Sequence, residues 1–461
     1  MKSIRDLPGP KGLPILGSLT ALTREPVPFF LNVSREYGAL IPIKLGLSTA
    51  ILLNSPDVLE HVLQRNYQNY RKTRLVAKLQ PIMGTGLVTS DGELWAAQRR
   101  LMQPSFHRRK IEGIFGTMQE TISKRTEIWQ RAADSGEVLN VARDMAATTL
   151  EVAVKTMFGA DIDRQIDVAI ECIEFLQVET PKRVFALTPL REVVPNPARS
   201  RFNGALRQLD EIVYEIIRRR RAVGSEEDDL LSLLMAARDE ETNREMTDRQ
   251  LRDEVITVFA AGHETTANAM TWIFSLLSDR PDVRDALIDE IQGLLGHGQP
   301  SVEGLGKMPL TTSVINEALR LYPPIWWTSR VNIDDDELAG YKIPQGTIVL
   351  VCPWTIQRHP AVWEAPDEFQ PWRFLPENTR GRHKFAFLPF GAGPRACIGS
   401  GFAMMEMKLV LSNLLPKFRF ERCAEVDIEP GPYLTMKPRR GLPMRIRAWE
   451  RCPQNQLSSA A

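Results

Sequence analysis

The sequence has no cysteine framework. Its five cysteines, Cys172, Cys352, Cys397, Cys423 and Cys452, are odd in number, far apart and never in a C-x-x-C pair. A disulfide framework or a zinc site is therefore not expected. There is also no apolar run near the ~20 residues that a membrane span needs. The N-terminus passes from Met1–Asp6 into LPGPKGLPILG, so a cytoplasmic protein without a membrane anchor is expected, although a chain whose anchor preceded Leu7 would read the same. A formal net charge of +1 gives no bias toward nucleic acid or anionic lipid, and no nucleic-acid partner is expected. Repeats, low-complexity tracts and a convincing linker are missing as well.

What is present is an ordinary globular composition. With 43% hydrophobic and 25% charged residues, the chain can bury a substantial core, and disorder is excluded as its main theme. ALIPIKLG and AILLN, separated by a turn near Ser48, have the spacing of a β-hairpin, and TIVLV at 347–351 reads as a strand. From Pro56 to about Arg320 the apolar spacing is mostly helical, as in Leu206–Arg221. RRRR at 218–221 followed by GSEEDD reads as a solvated helix terminus. The longest helical pattern opens at Thr247 and Gln250, in capping-box spacing, and meets no proline until Pro281. About 32 residues at ~1.5 Å each make a rod of roughly 48 Å. Its apolar pattern is broken midway by Gly262-His263-Glu264-Thr265-Thr266, and polar groups there need a reason.

FLPFGAGPRACIGSGFAMMEMKLVL, residues 387–411, surrounds Cys397 with glycines and continues as a helical pattern. A cysteine at a helix N-terminus meets backbone N–H groups that favour a thiolate, the form a soft metal requires. Gly391, Gly393 and Gly399 would let the loop approach a flat ligand, and Phe390 is placed to pack beside the sulfur. By the residues alone, a buried structural cysteine remains open. GAGPRA also matches G-x-G-x-x-A, with Glu421 downstream. Pro389 inside the supposed strand, and the few residues after Glu421, argue against a dinucleotide fold. Three further patterns stand out: Glu317 and Arg320 at i, i+3; Arg373 in WEAPDEFQPWRF; and Trp95 with Arg99 at i, i+4, two donors suited to an anion.

Taken in order along nearly the whole chain, these pieces resemble the cytochrome P450 family of haem-thiolate monooxygenases. The resemblance rests on Trp95 and Arg99, AGHETT at 261–266, Glu317 and Arg320, the PWRF segment, and F-G-x-G-x-R-x-C-x-G from Phe390 to Gly399. It is nearest to soluble bacterial fatty-acid hydroxylases and their relatives. The usual P-E-R-F reads Pro371-Trp372-Arg373-Phe374 here, and since the arginine is kept, a Glu317–Arg320–Arg373 lock is expected. The resemblance implies a mainly α fold with small β-sheets and a single haem domain over 1–461, β-rich to about 65 and helical over 66–460, with no fused reductase. It implies haem b, with Cys397 as the iron ligand, and Ala261 and Gly262 over the haem. Thr265 and Glu264 become a proton relay. Trp95, Arg99, Arg330 and Arg395 become contacts of the haem propionates.

The same resemblance sets Leu75, Leu79, Leu87, Val258, Ala261, Ile325, Trp326, Trp327, Thr328, Leu434 and Thr435 around a small apolar substrate, a terpenoid, steroid or fatty acid. Either tryptophan could equally point into the core. Electrons are expected from a ferredoxin or flavodoxin with its reductase, drawn by His107-Arg108-Arg109-Lys110 and Arg380–Lys384. A monomer is expected. The rival readings are a haem-thiolate isomerase, dehydratase or peroxide-driven enzyme, against which Glu264 and Thr265 argue, and a non-catalytic haem sensor or carrier.

Overall fold

The computed structural model describes residues 2–162, 165–184, 197–224, 229–238, 245–296, 298–423 and 428–449. The fold is mainly helical with small sheets. Leu40–Leu45 and Ser48–Leu53 pair antiparallel around Gly46, whose φ of +66° makes the turn. Strand content is not confined to the first 65 residues. The hairpin is one edge of a five-stranded sheet completed by Ile348–Val351, Thr328–Asn332 and Tyr70–Lys72, in that order. The sheet therefore joins segments almost 300 residues apart and brings Lys72 opposite Arg330.

The long helix spans Asp248–Asp279. Thr247 caps it as its pattern predicts: Gln250 N donates to Thr247 Oγ1 at 3.3 Å, and Thr247 N donates to Gln250 Oε1 at 2.9 Å. It packs along Val141–Phe158, crosses Pro309–Leu321 and touches Ser400–Leu414, the helix that follows Cys397. Trp272 stacks on Tyr322 with centroids 3.8 Å apart. Arg218 and Arg219 pair with Glu215 and Arg221 with Asp248, as a solvated helix face should. Arg220 differs: it is buried, bonded to Asp229 and to the carbonyl of Phe158. The basic run is thus partly a core ion pair; Ser225–Asp228 of the adjoining acidic stretch lie outside the described residues.

Glu317 and Arg320 are both fully buried and joined by two hydrogen bonds, 2.7 and 2.8 Å long. Arg320 also donates to the carbonyls of Gln357, Pro366 and Glu368. Glu317 accepts from the backbone N–H of Gln370 at 2.9 Å and has the Arg373 Nε at 3.2 Å. Arg373 in turn donates to the carbonyls of Glu364 and Ala365. Arg382 donates to the Arg373 carbonyl and lies over the Trp363 and Phe374 rings. Gln357 extends the network, accepting from the Leu388 N–H at 2.8 Å and donating to the carbonyls of Leu319 and Arg320. Leu388 opens the loop that carries Cys397.

Removing one member of a buried ion pair leaves the other charge unsatisfied, at a cost of about 3–5 kcal/mol. Arg320→Ala should therefore lower the denaturant midpoint of the protein sharply and weaken cofactor retention. A midpoint within the error of the parent would show that the network carries little of the fold.

Candidate active site

The ligand loop contains no strand. Lys384–Ala386 and Gly393–Arg395 are single 3-10 turns, so the strand-to-helix geometry of a dinucleotide loop is absent. Cys397 N donates to the Phe390 carbonyl at 2.8 Å, closing the loop on itself. Gly393, at φ +69°, is required by protein and not by a ligand: a Cβ there would stand 1.8 Å from the Leu63 carbonyl oxygen. At Gly399 the nearest atoms to an added Cβ are 3.8 Å away. Unlike Cys172 and Cys352, Cys397 has an accessible side chain. Enough protein surrounds its sulfur, however, that desolvation pushes the thiol pKa up, against the Gly399 N–H and the Arg99 charge, which pull it down. The helix terminus alone does not make a thiolate here; a metal cation bound to the sulfur would.

Between Leu251 and Ser275 the long helix is buried except at Val258, Ala260, Ala261, Gly262 and Thr265. At ~100° per residue, four of these, Val258, Ala261, Gly262 and Thr265, share one face. This stripe of mostly small residues leaves one face of an otherwise buried helix uncovered. Thr265 donates to the Ala261 carbonyl at 2.8 Å, so its hydroxyl rests on its own turn. Glu264 is buried, not at the surface. Thr435 donates to its Oε1 and accepts from Asn268 Nδ2 at 3.0 Å. Burial pushes the Glu264 carboxyl up to about 7, while Thr435, Lys437, Gln177 and Asn268 favour its ionised form.

The expected cation cluster forms between Tyr70–Lys72, Asp91 and the ligand loop. Arg395 pairs with Asp91 at 2.6 Å, donates to the Tyr70 carbonyl and lies 5.2 Å from the Trp95 ring centroid. Arg330 donates to the Ser329 carbonyl at 2.8 Å and the Thr328 hydroxyl at 3.3 Å. Arg99 donates through Nη1 to the Ala396 carbonyl at 2.8 Å, beside Cys397, which leaves its other N–H groups for an anion. Lys72 was not anticipated: its ammonium donates to the carbonyls of Leu87 and Ser90. Burial and then the nearby Arg330 push Lys72 down to about 7, and burial with Arg395 pushes Arg330 down to about 10. Only register across the sheet could have pointed to it, since Lys72 stands opposite Arg330.

These residues fit haem. Lys72, Arg330 and Arg395 lie half-buried around Asp91, and the Arg395 Nε is buried and unpartnered, a surplus of positive charge that two propionates would balance. The accessible cysteine supplies the soft donor.

The substrate set divides. Val258 and Ala261 lie on the accessible stripe, and Leu75, Leu79, Trp327, Thr328 and Leu434 are half-buried. Ile325 is exposed. Trp326 belongs to the core beside Phe30, its indole N–H donating to the Tyr433 carbonyl at 3.2 Å. Leu87 is buried, with its backbone N–H on Glu254. Thr435 is committed to Glu264. On the other side of the ligand loop, His107–Lys110 are exposed, and the Ile111 side chain packs close to Gly401. The second basic stretch is weaker than expected: Arg382 is folded onto the lock, and His383 lies near Asp57 and Glu60.

The sequence profile of the family described as Cytochrome P450 matches residues 7–442. Cyclooctat-9-en-7-ol 5-monooxygenase of Streptomyces melanosporofaciens is 33% identical, with 89% of this chain and 88% of that protein covered. Pentalenene oxygenase of Streptomyces avermitilis is 32% identical over 95% and 96% of the two chains. A crystal structure of the cytochrome P450DA heme domain superimposes with a TM-score of 0.85 at 29% identity, covering 96% of this chain and 98% of that one. With the cysteine loop, the cation cluster and the accessible stripe on the long helix all in place, the chain belongs to the cytochrome P450 family, whose cofactor is haem b.

Proposed function

We propose that this cytochrome P450 monooxygenase hydroxylates a compact terpenoid skeleton in the space bordered by Val258, Ala261, Gly262 and Thr265. The observation that carries the reading is that stripe: mostly small residues, half-buried on a helix that is otherwise buried, ending in an alcohol. Terpenoid is preferred to fatty acid because relatives matched over almost their whole length bear the names Cyclooctat-9-en-7-ol 5-monooxygenase and Pentalenene oxygenase. Cys397, Lys72, Arg330 and Arg395 would hold the haem, which would supply oxygen activation when bound, with the Cys397 thiolate as its electron donor.

The chain's own residues have separate tasks. Arg99 and the Gly399 N–H favour the anionic sulfur. Arg395, Arg330 and Lys72 orient the cofactor through its carboxylates. Thr265, released from the Ala261 carbonyl, hands a proton into the interior space, and Glu264 on the adjoining turn position replaces it. Val258 and Ala261 keep water from that space and admit apolar carbon. Electrons come from a separate acidic redox protein that meets the exposed Arg108, Arg109 and Lys110 next to the ligand helix.

Three outcomes are expected. The reduced carbon-monoxide complex of the holoprotein should show the thiolate-type Soret band and Cys397→Ala should lose it; a parent spectrum without that band removes the assignment of the ligand. In a panel of sesquiterpene and diterpene hydrocarbons and fatty acids, the haem spin-state shift should follow the terpenoids, and a response to fatty acids alone would overturn the substrate class. With a responding terpenoid, Thr265→Ala should keep consuming reduced nicotinamide with surrogate redox partners while product falls ~10-fold or more and peroxide rises. Full coupling in that variant would eliminate the proton relay.

A further inference from the structure

Four exposed apolar side chains are brought together from two turns near the N-terminus. Leu13, Ile15 and Leu16 lie in a turn closed by paired hydrogen bonds, Leu13 N to the Gly17 carbonyl at 2.9 Å and Gly17 N to the Leu13 carbonyl at 2.8 Å. Leu47 stands at the tip of the Leu40–Leu45 and Ser48–Leu53 hairpin, whose first strand is an edge of the five-stranded sheet. Backbone joins the two turns: Ser18 N donates to the Lys44 carbonyl at 2.8 Å, and Gly46 N to the Leu16 carbonyl at 3.3 Å. Their approach leaves no room for a Cβ at Gly12 or Gly17, which would stand 2.5 Å from the Gly17 carbonyl carbon and the Lys44 carbonyl oxygen respectively. The two turns form one tightly built projection.

Packing explains neither its exposure nor its backbone. Leu47 is 100% exposed and Ile15 81%, so each forgoes burial that would stabilise the fold. Ile15 also holds φ at +65°, in the left-handed region that a branched Cβ disfavours most. Strain of this kind collects at sites with a function, and here it falls on an exposed isoleucine where glycine would rest without strain. The surroundings carry one sign of charge. Lys11 and Lys44 flank the projection, both exposed and neither paired with a carboxylate among the described residues. Residues 7–24 and 37–56 contain no Asp or Glu.

We infer that this projection docks the protein on an anionic lipid surface. Leu13, Ile15, Leu16 and Leu47 enter the boundary between headgroups and acyl chains, and Lys11 and Lys44 meet lipid phosphates. Apolar tips flanked by lysine suit such a boundary on both counts. No helix among the described residues is long and apolar enough to cross a membrane, so the docking is interfacial and reversible. A second copy of the chain is a poorer occupant. Four side chains fall short of the ~800 Å² that each partner buries in a stable pair, and a two-fold contact through this patch would set the lysines against their own copies. The docking stands independently of the proposed substrate, although apolar hydrocarbons collect in the same lipid.

Co-sedimentation of the holoprotein with vesicles tests the surface without turnover. Vesicles of equal parts phosphatidylglycerol and phosphatidylcholine should pellet the protein, pure phosphatidylcholine should pellet far less, and high salt should release it. Ile15→Asp combined with Leu47→Asp should lower binding about 10-fold or more, and Lys44→Glu about fivefold. Leu294→Asp, at an exposed leucine elsewhere, should change nothing. The reduced carbon-monoxide spectrum of each variant shows whether its fold is kept. Ile15→Gly separates docking from folding: it removes the side chain and the strain together, so binding should fall while the thermal midpoint stays at or above the parent. A lower midpoint with unchanged binding assigns Ile15 to the fold and overturns its part in docking. No binding to the anionic vesicles, equal binding by the double Asp variant, or a dimer that this variant splits with no vesicle binding by the parent overturns the docking surface itself.

Discussion

The ion pair between Glu317 and Arg320 holds together pieces of chain that have little else in common. Both side chains have lost all contact with water, which would be costly if either were left with unused hydrogen-bonding capacity. Arg320 is therefore surrounded by carbonyls of the meander, and Glu317 by a backbone N–H and a second guanidinium. These demands leave the 357–374 segment little freedom. Because Gln357 ties that segment to Leu388, the start of the ligand loop inherits the same rigidity. Gly393, pressed on the Leu63 carbonyl, fixes the loop's far side against the N-terminal part of the chain.

A second set of buried carboxylates organises the opposite end of the site. Asp253 accepts from the Thr85 N–H at 2.9 Å, and Glu254 from the Leu87 N–H at 3.1 Å, stapling residues 84–87 to the long helix. Gly84 has room for no side chain, since a Cβ there would stand 1.9 Å from the Asp253 carboxyl. The stapled segment leads to Ser90, whose carbonyl holds the Lys72 ammonium, and to Asp91, which pairs with Arg395. The cation cluster and the long helix are thus tied together through residues 84–91.

Local patterns were legible to within a few residues: the hairpin turn falls at Gly46 and Leu47, and Ser48, expected near the turn, opens the second strand. The capping box at Thr247, the length of the long helix, the hairpin and the Glu317–Arg320 pair follow from spacing, because each is decided within one element or one turn. The family resemblance supplied Arg373 as the third member of the lock. What spacing could not show depends on where distant elements meet. Lys72 joins the cations only because its strand lies beside Arg330, and Arg99 turns to Ala396 because the ligand loop passes there. Trp326 and Trp327 are adjacent in sequence, yet Trp326 went to the core and Trp327 is half-buried. Thr435 and Glu264 are 171 residues apart, a separation at which no periodicity speaks.

On the long helix, Thr265 and Glu264 are consecutive but turned about 100° apart, one on the accessible stripe and the other buried against Thr435. Neighbouring faces of one rod thus carry different kinds of chemistry. Changes at Val258 or Ala261 alter the accessible face without touching the Asn268–Thr435–Glu264 hydrogen bonds. Such a division lets side-chain volume vary on one face while the hydrogen-bonded polar groups of the next keep their partners.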